Sequence, residues 1–220
     1  MKISVALAAY NGEKYIGEQI ESILPQLGRD DEIVVSDDNP AGKTRAAVEF
    51  YSAYDGRVRY VEGTGEGVCR NFENAILNCS GDVIFLCDQD DVWLPNKVER
   101  VMKAIENGAD VVLHDAMMTD GELNVTDESF FSLNGSKRGF VRNFLKNSYM
   151  GCCMAFRRDF EPAFMPFPKN LAMHDWWIGL NAELKGKVEF IYEPLIKHRC
   201  HGGNVTGGKT TAAQKISWRI

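Results

Sequence analysis

Val83-Ile84-Phe85-Leu86-Cys87-Asp88-Gln89-Asp90-Asp91 decides the fold of this chain. The unbroken apolar run predicts a buried strand. Three carboxylates follow within four residues. In an open α/β sheet, ligands bind outside the carboxyl ends of the strands. Carboxylates crowded there repel one another unless a cation holds them. An oxygen pair such as Asp88 and Asp90 suits Mg²⁺ or Mn²⁺ that is also bound by substrate phosphates. The competing reading is a solvated acidic turn before the helix that Pro95 opens. The position at the end of an apolar strand favours the metal.

Outward from this strand the pattern alternates. Residues 3–8, 32–36 and 58–61 predict strands, and 111–114 a fifth. Between them Ile16, Ile20, Ile23, Leu24 and Leu27 recur at helical spacing, which predicts a helix over 13–27. Weaker helical patterns cover 44–54 and the stretch carrying Val68, Phe72, Ala75 and Ile76. Pro95 suits a first helical turn, and that helix carries Val98, Val101, Met102 and Ile105 to Asn107-Gly108. Strands alternating with helices imply right-handed crossovers. The expected fold class is α/β, a Rossmann-like, mostly parallel central sheet with helices on both faces. Beyond residue 120 the reading is a polar loop over 121–134, a helix over 138–146, and a strand over 148–156. A helix over 175–184 and a strand over 188–191 follow. No repeat or linker divides the chain, so 1–220 reads as one domain. Residues 1–115 form its nucleotide-like half and 116–205 its acceptor-side half. The small, polar tail 206–220 is expected to be mobile.

Lysine plus arginine is 25 against 31 for aspartate plus glutamate, a net charge of −6, which argues against a nucleic-acid partner. With 45% hydrophobic and 25% charged residues the chain belongs with globular rather than disordered proteins. No apolar run approaches the roughly 18 residues of a membrane span. Met1–7 is too short for a signal-peptide core, so a cytoplasmic protein is expected. None of the six cysteines forms a C-x-x-C pair, so reduced core thiols are expected rather than a zinc ribbon.

Four further constellations carry polar chemistry. Ser36-Asp37-Asp38 ends the second strand, where a carboxylate can meet a base or ribose, or simply stabilise a turn. Ala8-Ala9-Tyr10-Asn11-Gly12 joins the first strand to the first helix; Tyr10 suits stacking on a nucleobase, and Asn11 suits a cap. No G-x-G-x-x-G or G-x-x-x-x-G-K-[ST] is present, which weakens a dinucleotide dehydrogenase and a P-loop NTPase. Met173-His174-Asp175-Trp176-Trp177 opens a helix, where an acid serves either the helix dipole or catalysis. His198-Arg199-Cys200-His201-Gly202-Gly203-Asn204 follows the last strand. Its histidines suit a metal and Arg199 a phosphate, or all of it is a polar loop.

The order of these pieces resembles family-2 glycosyltransferases of the GT-A fold, and within them the bacterial rhamnosyltransferase-like subgroup. The resemblance rests on Ala9–16, Val35-Ser36-Asp37-Asp38, Arg70-Asn71-Phe72 and Phe85-Leu86-Cys87-Asp88-Gln89-Asp90-Asp91-Val92-Trp93. It continues through Gly151-Cys152-Cys153-Met154-Ala155-Phe156, His174-Asp175-Trp176-Trp177 and His201-Gly202-Gly203-Asn204-Val205. The resemblance implies that Asp88 and Asp90 hold a divalent metal (Mg or Mn) and the donor diphosphate. It implies that Asp38 binds the donor's base with Ala8 and Tyr10 beside it, and that Arg70 flanks the donor. Asn11, Glu13 and Gln89 complete the donor set. Asp175 matches the general base, and His201 the late histidine that joins the metal or diphosphate. Gly151, Cys152, His174 and Trp176 fall on the acceptor side. Residues 39–44 depart from the family's usual loop rich in Gly, Ser and Asp. Relatives also continue past Ile220, so a short or truncated member is expected.

The implied activity is inverting transfer of a sugar from a nucleotide diphospho-sugar, with dTDP-rhamnose suggested by the subgroup. The implied acceptor is a glycan or lipid-linked hydroxyl, met in the cytoplasm or peripherally at the inner face of the membrane. Two rival classes remain at the level of sequence. A metal-dependent phosphatase or phosphotransferase would use Asp88 as nucleophile, although such a motif normally follows the first strand. A non-catalytic nucleotide-sugar-binding module would bind donor without turnover.

Overall fold

Strands β1 (Ile3–Ala9), β2 (Glu32–Asp37) and β4 (Val83–Asp88) sit at the centre because almost every side chain on them is buried. The computed structural model describes residues 1–202. The expected mobile tail over 206–220, and the Gly203-Asn204-Val205 end of the last matching stretch, lie outside the described residues. Among the described residues nine strands form one sheet, in the order β3-β2-β1-β4-β8-β6-β9-β5, with β7 paired to β6. The remaining strands are β3 (Val58–Glu62), β5 (Val92–Trp93), β6 (Val111–Thr119), β7 (Val125–Asp127), β8 (Met154–Arg157) and β9 (Val188–Arg199).

The first four strands in this order run parallel. The chain leaves β1 toward β2 on one side and returns to β4 on the other. That reversal makes the tips of β1 and β4 a topological switch point, where α/β sheets bind ligands. Register fixes what meets there: Ala8 lies opposite Ser36 on one side and Asp88 on the other. Strand β8 then pairs antiparallel to both β4 and β6. It joins β6 and β9 to the parallel strands β1–β4 in one continuous sheet.

Helices α1 (Ile16–Ile23), α2 (Thr44–Tyr54), α3 (Val68–Asn78), α4 (Lys97–Glu106), α5 (Phe130–Asn134), α6 (Phe140–Leu145) and α7 (His174–Lys185) flank the sheet. Helix α3 packs on β1 and β2, α2 on β3, and α4 on β6 and β9. On α1 the stripe Ile16, Ile20 and Ile23 is fully buried. Each of these side chains contributes roughly 1.5–3 kcal/mol by leaving water.

Several elements differ from the sequence reading. Helix α1 is shorter than residues 13–27. Its start is set by Gly12, whose carbonyl accepts from both Tyr15 and Ile16 at 3.0 Å. Asn11 adopts a left-handed φ of 52° and does not cap it. Pro25 converts its end into a 3-10 turn over Leu24–Gln26. The strand expected over 148–156 is a 3-10 turn, Gly151–Cys153, followed by the short β8. The loop expected over 121–134 contains β7 and α5, the latter capped by the Ser129 hydroxyl accepting from Ser132 N at 3.0 Å. Strand β9 runs eight residues past its expected end because β6, through register shifts, keeps pairing with it. All six cysteines are free thiols, four of them buried.

Glu32 locks the opposite edge of the sheet. Its Oε1 accepts from Ser4 Oγ, Ser80 N and Ser80 Oγ, each at 2.7 Å, and its Oε2 from Arg59 Nε at 3.0 Å. Burial alone would raise its pKa; these hydrogen bonds and the Arg59 charge outweigh it and lower the carboxyl from 4.5 to about 2. A depressed carboxylate stabilises the fold above its unfolded pKa, and that contribution is lost as pH falls through the folded value. Glu32→Gln should therefore cost about 3 kcal/mol at pH 7, shrinking as pH falls from about 4.5 toward 2. Urea unfolding of both proteins at pH 7 and pH 3 checks this. An equal gap at the two pH values would show that the charge is not the source.

Candidate active site

The β1–α1 loop is fastened to the β4 tip by one side chain. Gln89 Oε1 accepts from Tyr10 N at 2.8 Å, and Gln89 Nε2 donates to Tyr10 O at 3.0 Å. This pairing explains Gly12, since a Cβ there would lie 2.0 Å from Gln89 Oε1. Gln89 is thus a brace for the loop, and the Tyr10 ring, 60% exposed, is left available for stacking. Next to it Asp38 accepts from Gly65 N and Gly67 N, both at 2.8 Å, so one carboxylate folds the β3–α3 loop over the β2 tip. Asn71 on α3 donates to the carbonyls of Ala9 and Ser36 at 3.0 and 2.9 Å, which holds the β1 and β2 tips together.

The acidic run after β4 is electrostatically divided. Asp91 is buried and pairs with His198, Oδ1 to Nδ1 at 2.8 Å, and also accepts from Arg199 N at 3.1 Å. Burial works against both charges, but their mutual attraction wins: it lowers Asp91 and pushes the His198 imidazole up to about 10. Asp88 has no such partner. Burial and the charges of Asp91 and Asp90 push its carboxyl up to about 7. Asp90 is raised for the same reasons, against the pull of His201, whose Nε2 lies 2.8 Å from Asp90 Oδ2. Behind this group sits Lys97, fully buried, donating to Cys152 O at 2.8 Å with its ammonium 4.0 Å over the Trp93 ring.

Another wall comes from the acceptor-side half. Helix α7 opens with His174 and Asp175, both buried. Burial raises the Asp175 carboxyl to about 6, against hydrogen bonds from the backbone of Trp176 and Gly151 and from the Asn147 side chain. Burial pushes His174 down to about 3, so the ring is neutral. It stacks on Phe72 with centroids 4.0 Å apart, and neither ring nitrogen has a partner among the described residues. Gly151 must be glycine for this ring to fit, since a Cβ would lie 2.6 Å from His174 Nε2.

These walls enclose a cavity of about 560 Å³. Of the residues expected from sequence, Ala8, Tyr10, Asp38, Asp88, Gln89, Asp90, Gly151, His174 and Asp175 line it. His201 reaches it through Asp90. Six others stand back. Asn11 and Glu13 are exposed on the loop outside, with Asn11 Oδ1 accepting from Asn39 Nδ2 at 2.8 Å. Arg70 turns away to Glu73 and to the carbonyls of Phe167 and Pro168 at 3.2 and 2.7 Å, so it braces the proline-rich loop. The Trp176 indole donates to Asn143 O at 2.6 Å, and Cys152 is buried behind Gly151. Arg199, expected to grip a phosphate, is buried and committed to Asp90 O and Gly121 O at 2.8 Å and to Glu18 at 2.5 Å. Sequence reasoning gives Asn71 no role and leaves open which histidine of the last stretch turns inward; Asn71 and His198 both line the cavity. Both stand within stretches already singled out, but nothing local shows which side chain turns inward.

The donor set fits a hard divalent cation. Asp88 and Asp90 bring two carboxylates to one wall of the cavity, a donor type that suits such a cation, and burial together with neighbouring acidic charge raises both pKa values. Asp91, Cys152 and His198 also bring their ligand atoms within 4.8 Å of one another. There, however, Asp91 Oδ1 is engaged by His198 Nδ1, and hydrogen bonding to Cys153, burial and the Asp91 charge keep the Cys152 thiol protonated.

The chain is similar to known proteins in sequence and in fold. The family model described as glycosyl transferase family 2 matches residues 4–162. An uncharacterized glycosyltransferase of Nostoc is 26% identical over 215 residues, covering 93% of this chain and 66% of the relative. The dTDP-rhamnosyl transferase RfbG of Shigella flexneri is 25% identical over 226 residues, covering 95% of this chain and 76% of that protein. Among solved structures, S. aureus TarS 1-349 in complex with UDP-GlcNAc superposes with a TM-score of 0.74 at 19% identity, covering 96% of this chain and 62% of that one. The mannosyltransferase PcManGT of Pyrobaculum calidifontis, in complex with GDP-Man and Mn²⁺, gives 0.69 at 15% identity, covering 92% and 58%. These structures share the GT-A fold. The chain spans 66%, 39% and 63% of the first three curated relatives.

Proposed function

We propose that this chain, which belongs to glycosyl transferase family 2, moves a sugar from a nucleotide diphospho-sugar to an acceptor hydroxyl with inversion at the anomeric carbon. One observation carries the reading. A single cavity holds Asp38 and Tyr10 from the first strands, the Asp88–Asp90 pair from the fourth, and a buried Asp175 from the acceptor-side half. The half up to residue 115 takes the donor and the half from 116 to 205 the acceptor. Tyr10 and the Asp38-braced glycine loop meet the nucleoside. Asp88 and Asp90 hold the divalent cation, Mg²⁺ or Mn²⁺. That cation, when bound, stabilises the negative charge developing on the leaving diphosphate.

Asp175 accepts the proton of the acceptor hydroxyl. As that oxygen bonds to the anomeric carbon, the bond to the diphosphate oxygen breaks and its electron pair leaves with the nucleotide. A transition state of oxocarbenium character connects the two. One displacement inverts the centre. His174, neutral and with both nitrogens unpartnered, is placed to hydrogen-bond a bound sugar. The likeness to a dTDP-rhamnosyl transferase supports dTDP-rhamnose as donor; the acceptor on this reading is a glycan or lipid-linked sugar. Six free thiols suit work in the reducing cytoplasm.

Calorimetric titration of dTDP, UDP and GDP, first with Mn²⁺ and then with EDTA, tests the reading. One nucleotide, expected to be dTDP, should bind only with metal. Binding of none of them by folded protein would refute it.

A further inference from the structure

The 30 residues from 129 to 158 contain no aspartate or glutamate, in a chain that carries 31 of them. The same stretch holds six cations, four of them exposed within ten residues: Lys137, Arg138, Arg142 and Lys146. Interleaved with these are large apolar side chains turned to solvent. Leu133 is 64% exposed, Val141 72% and Phe144 58%, with Phe140 stacked against Phe144 at 6.0 Å. Phe50 and Tyr54 on α2, by contrast, stand beside Glu49 and Asp55, and Arg45 there is paired with Glu49 and Glu62.

The charges of this face are mostly unneutralised. Arg142 and Lys146 donate to the carbonyls of Gly135 and Asn134, both at 2.5 Å. Arg138 meets Glu189 only at 3.7 Å. The nearby Glu183 is engaged from behind by Gly139 N and the Tyr149 hydroxyl, at 2.8 and 3.0 Å.

The face is also held rigidly against the cavity. Buried Asn143 donates to the carbonyls of Lys137 and Gly139 at 2.9 and 3.0 Å, while its own carbonyl accepts from Trp176. Asn147, just past α6, hydrogen-bonds Asp175. The apolar–basic surface is therefore the outer side of the segment whose inner side braces Asp175.

We infer that the face built from residues 133–146 docks on an anionic lipid bilayer, its cations against headgroup phosphates and Val141 and Phe144 inserted at the interface. Free phosphate or a polyanion would satisfy the cations and leave the apolar side chains in water; a bilayer interface satisfies both. No helix among the described residues is long and apolar enough to cross a membrane, so docking of this kind is peripheral. It would turn the acceptor side of the cavity toward lipid-linked sugars, although the docking itself does not depend on the reaction.

Co-sedimentation of this chain with phosphatidylglycerol/phosphatidylcholine vesicles, and with phosphatidylcholine alone, tests the inference without any turnover assay. Binding is expected only to the anionic vesicles, and should fall sharply at about 0.5 M salt. Removing two interfacial cations (Lys137→Gln with Lys146→Gln) should weaken partition about 30-fold, at about 1 kcal/mol per charge. Val141→Ser with Phe144→Ser should weaken it about tenfold or more while melting temperature stays unchanged. Absence of anionic-vesicle binding, or binding indifferent to both variants, would overturn the inference. So would a dimer that Val141→Ser with Phe144→Ser converts to monomer, because the face would then be covered by a second copy.

Discussion

Asp175→Asn is expected to lower sugar transfer by roughly 10²–10⁴-fold while leaving donor affinity nearly unchanged. The substitution keeps the shape and keeps an oxygen for Trp176 N, which now bonds Asp175 Oδ1 at 2.6 Å. It turns the other oxygen into an amide donor, which cannot take a proton. The wild-type rate should carry an acid limb for the same reason. Burial raises the Asp175 pKa to about 6, so the base is about nine-tenths ionised at pH 7 and loses activity about tenfold per pH unit well below 6. Single-turnover rates between pH 4.5 and 8, with calorimetry for donor binding, separate the two effects. An Asn variant with wild-type turnover would remove Asp175 from the mechanism.

Asp90→Ala is expected to weaken metal-dependent nucleotide binding by roughly 100-fold or more, since loss even of outer-shell support at metal sites costs 10–100-fold. On the proposed reading the residue supplies one of two hard oxygen ligands, and its Oδ2 lies 2.8 Å from His201 Nε2. In EDTA the variant and wild type should bind alike. Asp88 should respond as well: with the Asp90 charge gone, one of the two charges that push its carboxyl up to about 7 is removed. Calorimetry of Mn²⁺ and nucleotide measures each change. Equal metal-dependent affinity in the two proteins would place the cation elsewhere.

Much of this site was legible because strand tips announce themselves. An apolar run that stops at Asp88 and another that stops at Asp38 are local signals, and parallel pairing delivers both tips to one edge. Arg70 shows where legibility ends. Its neighbour Asn71 lies on the cavity and Arg70 does not, yet adjacent helical positions differ only in which way they point. Gln89 is similar: its two backbone bonds to Tyr10 join positions 79 residues apart, and no periodicity encodes them. The pattern predicts β9 only to residue 191 because Glu193 and Pro194 interrupt it, while pairing with β6 and with the two-residue β5 carries the strand on to Arg199.

The sequence by itself determined the order of strands and helices, the acidic end of β4 and the acid that opens α7. Burial patterns and charge crowding are properties of neighbouring residues, so they are written locally. Only the tertiary structure decided that His198 pairs with Asp91, while burial and neighbouring acidic charge raise the pKa values of Asp88 and Asp90. It alone decided that Asp175 is buried beside Asn147 and Gly151, and therefore poised near neutrality. Desolvation and Coulomb interactions act through space and depend on which groups the packed fold brings within a few ångströms, so the chemistry of each acid was set by neighbours from distant parts of the chain.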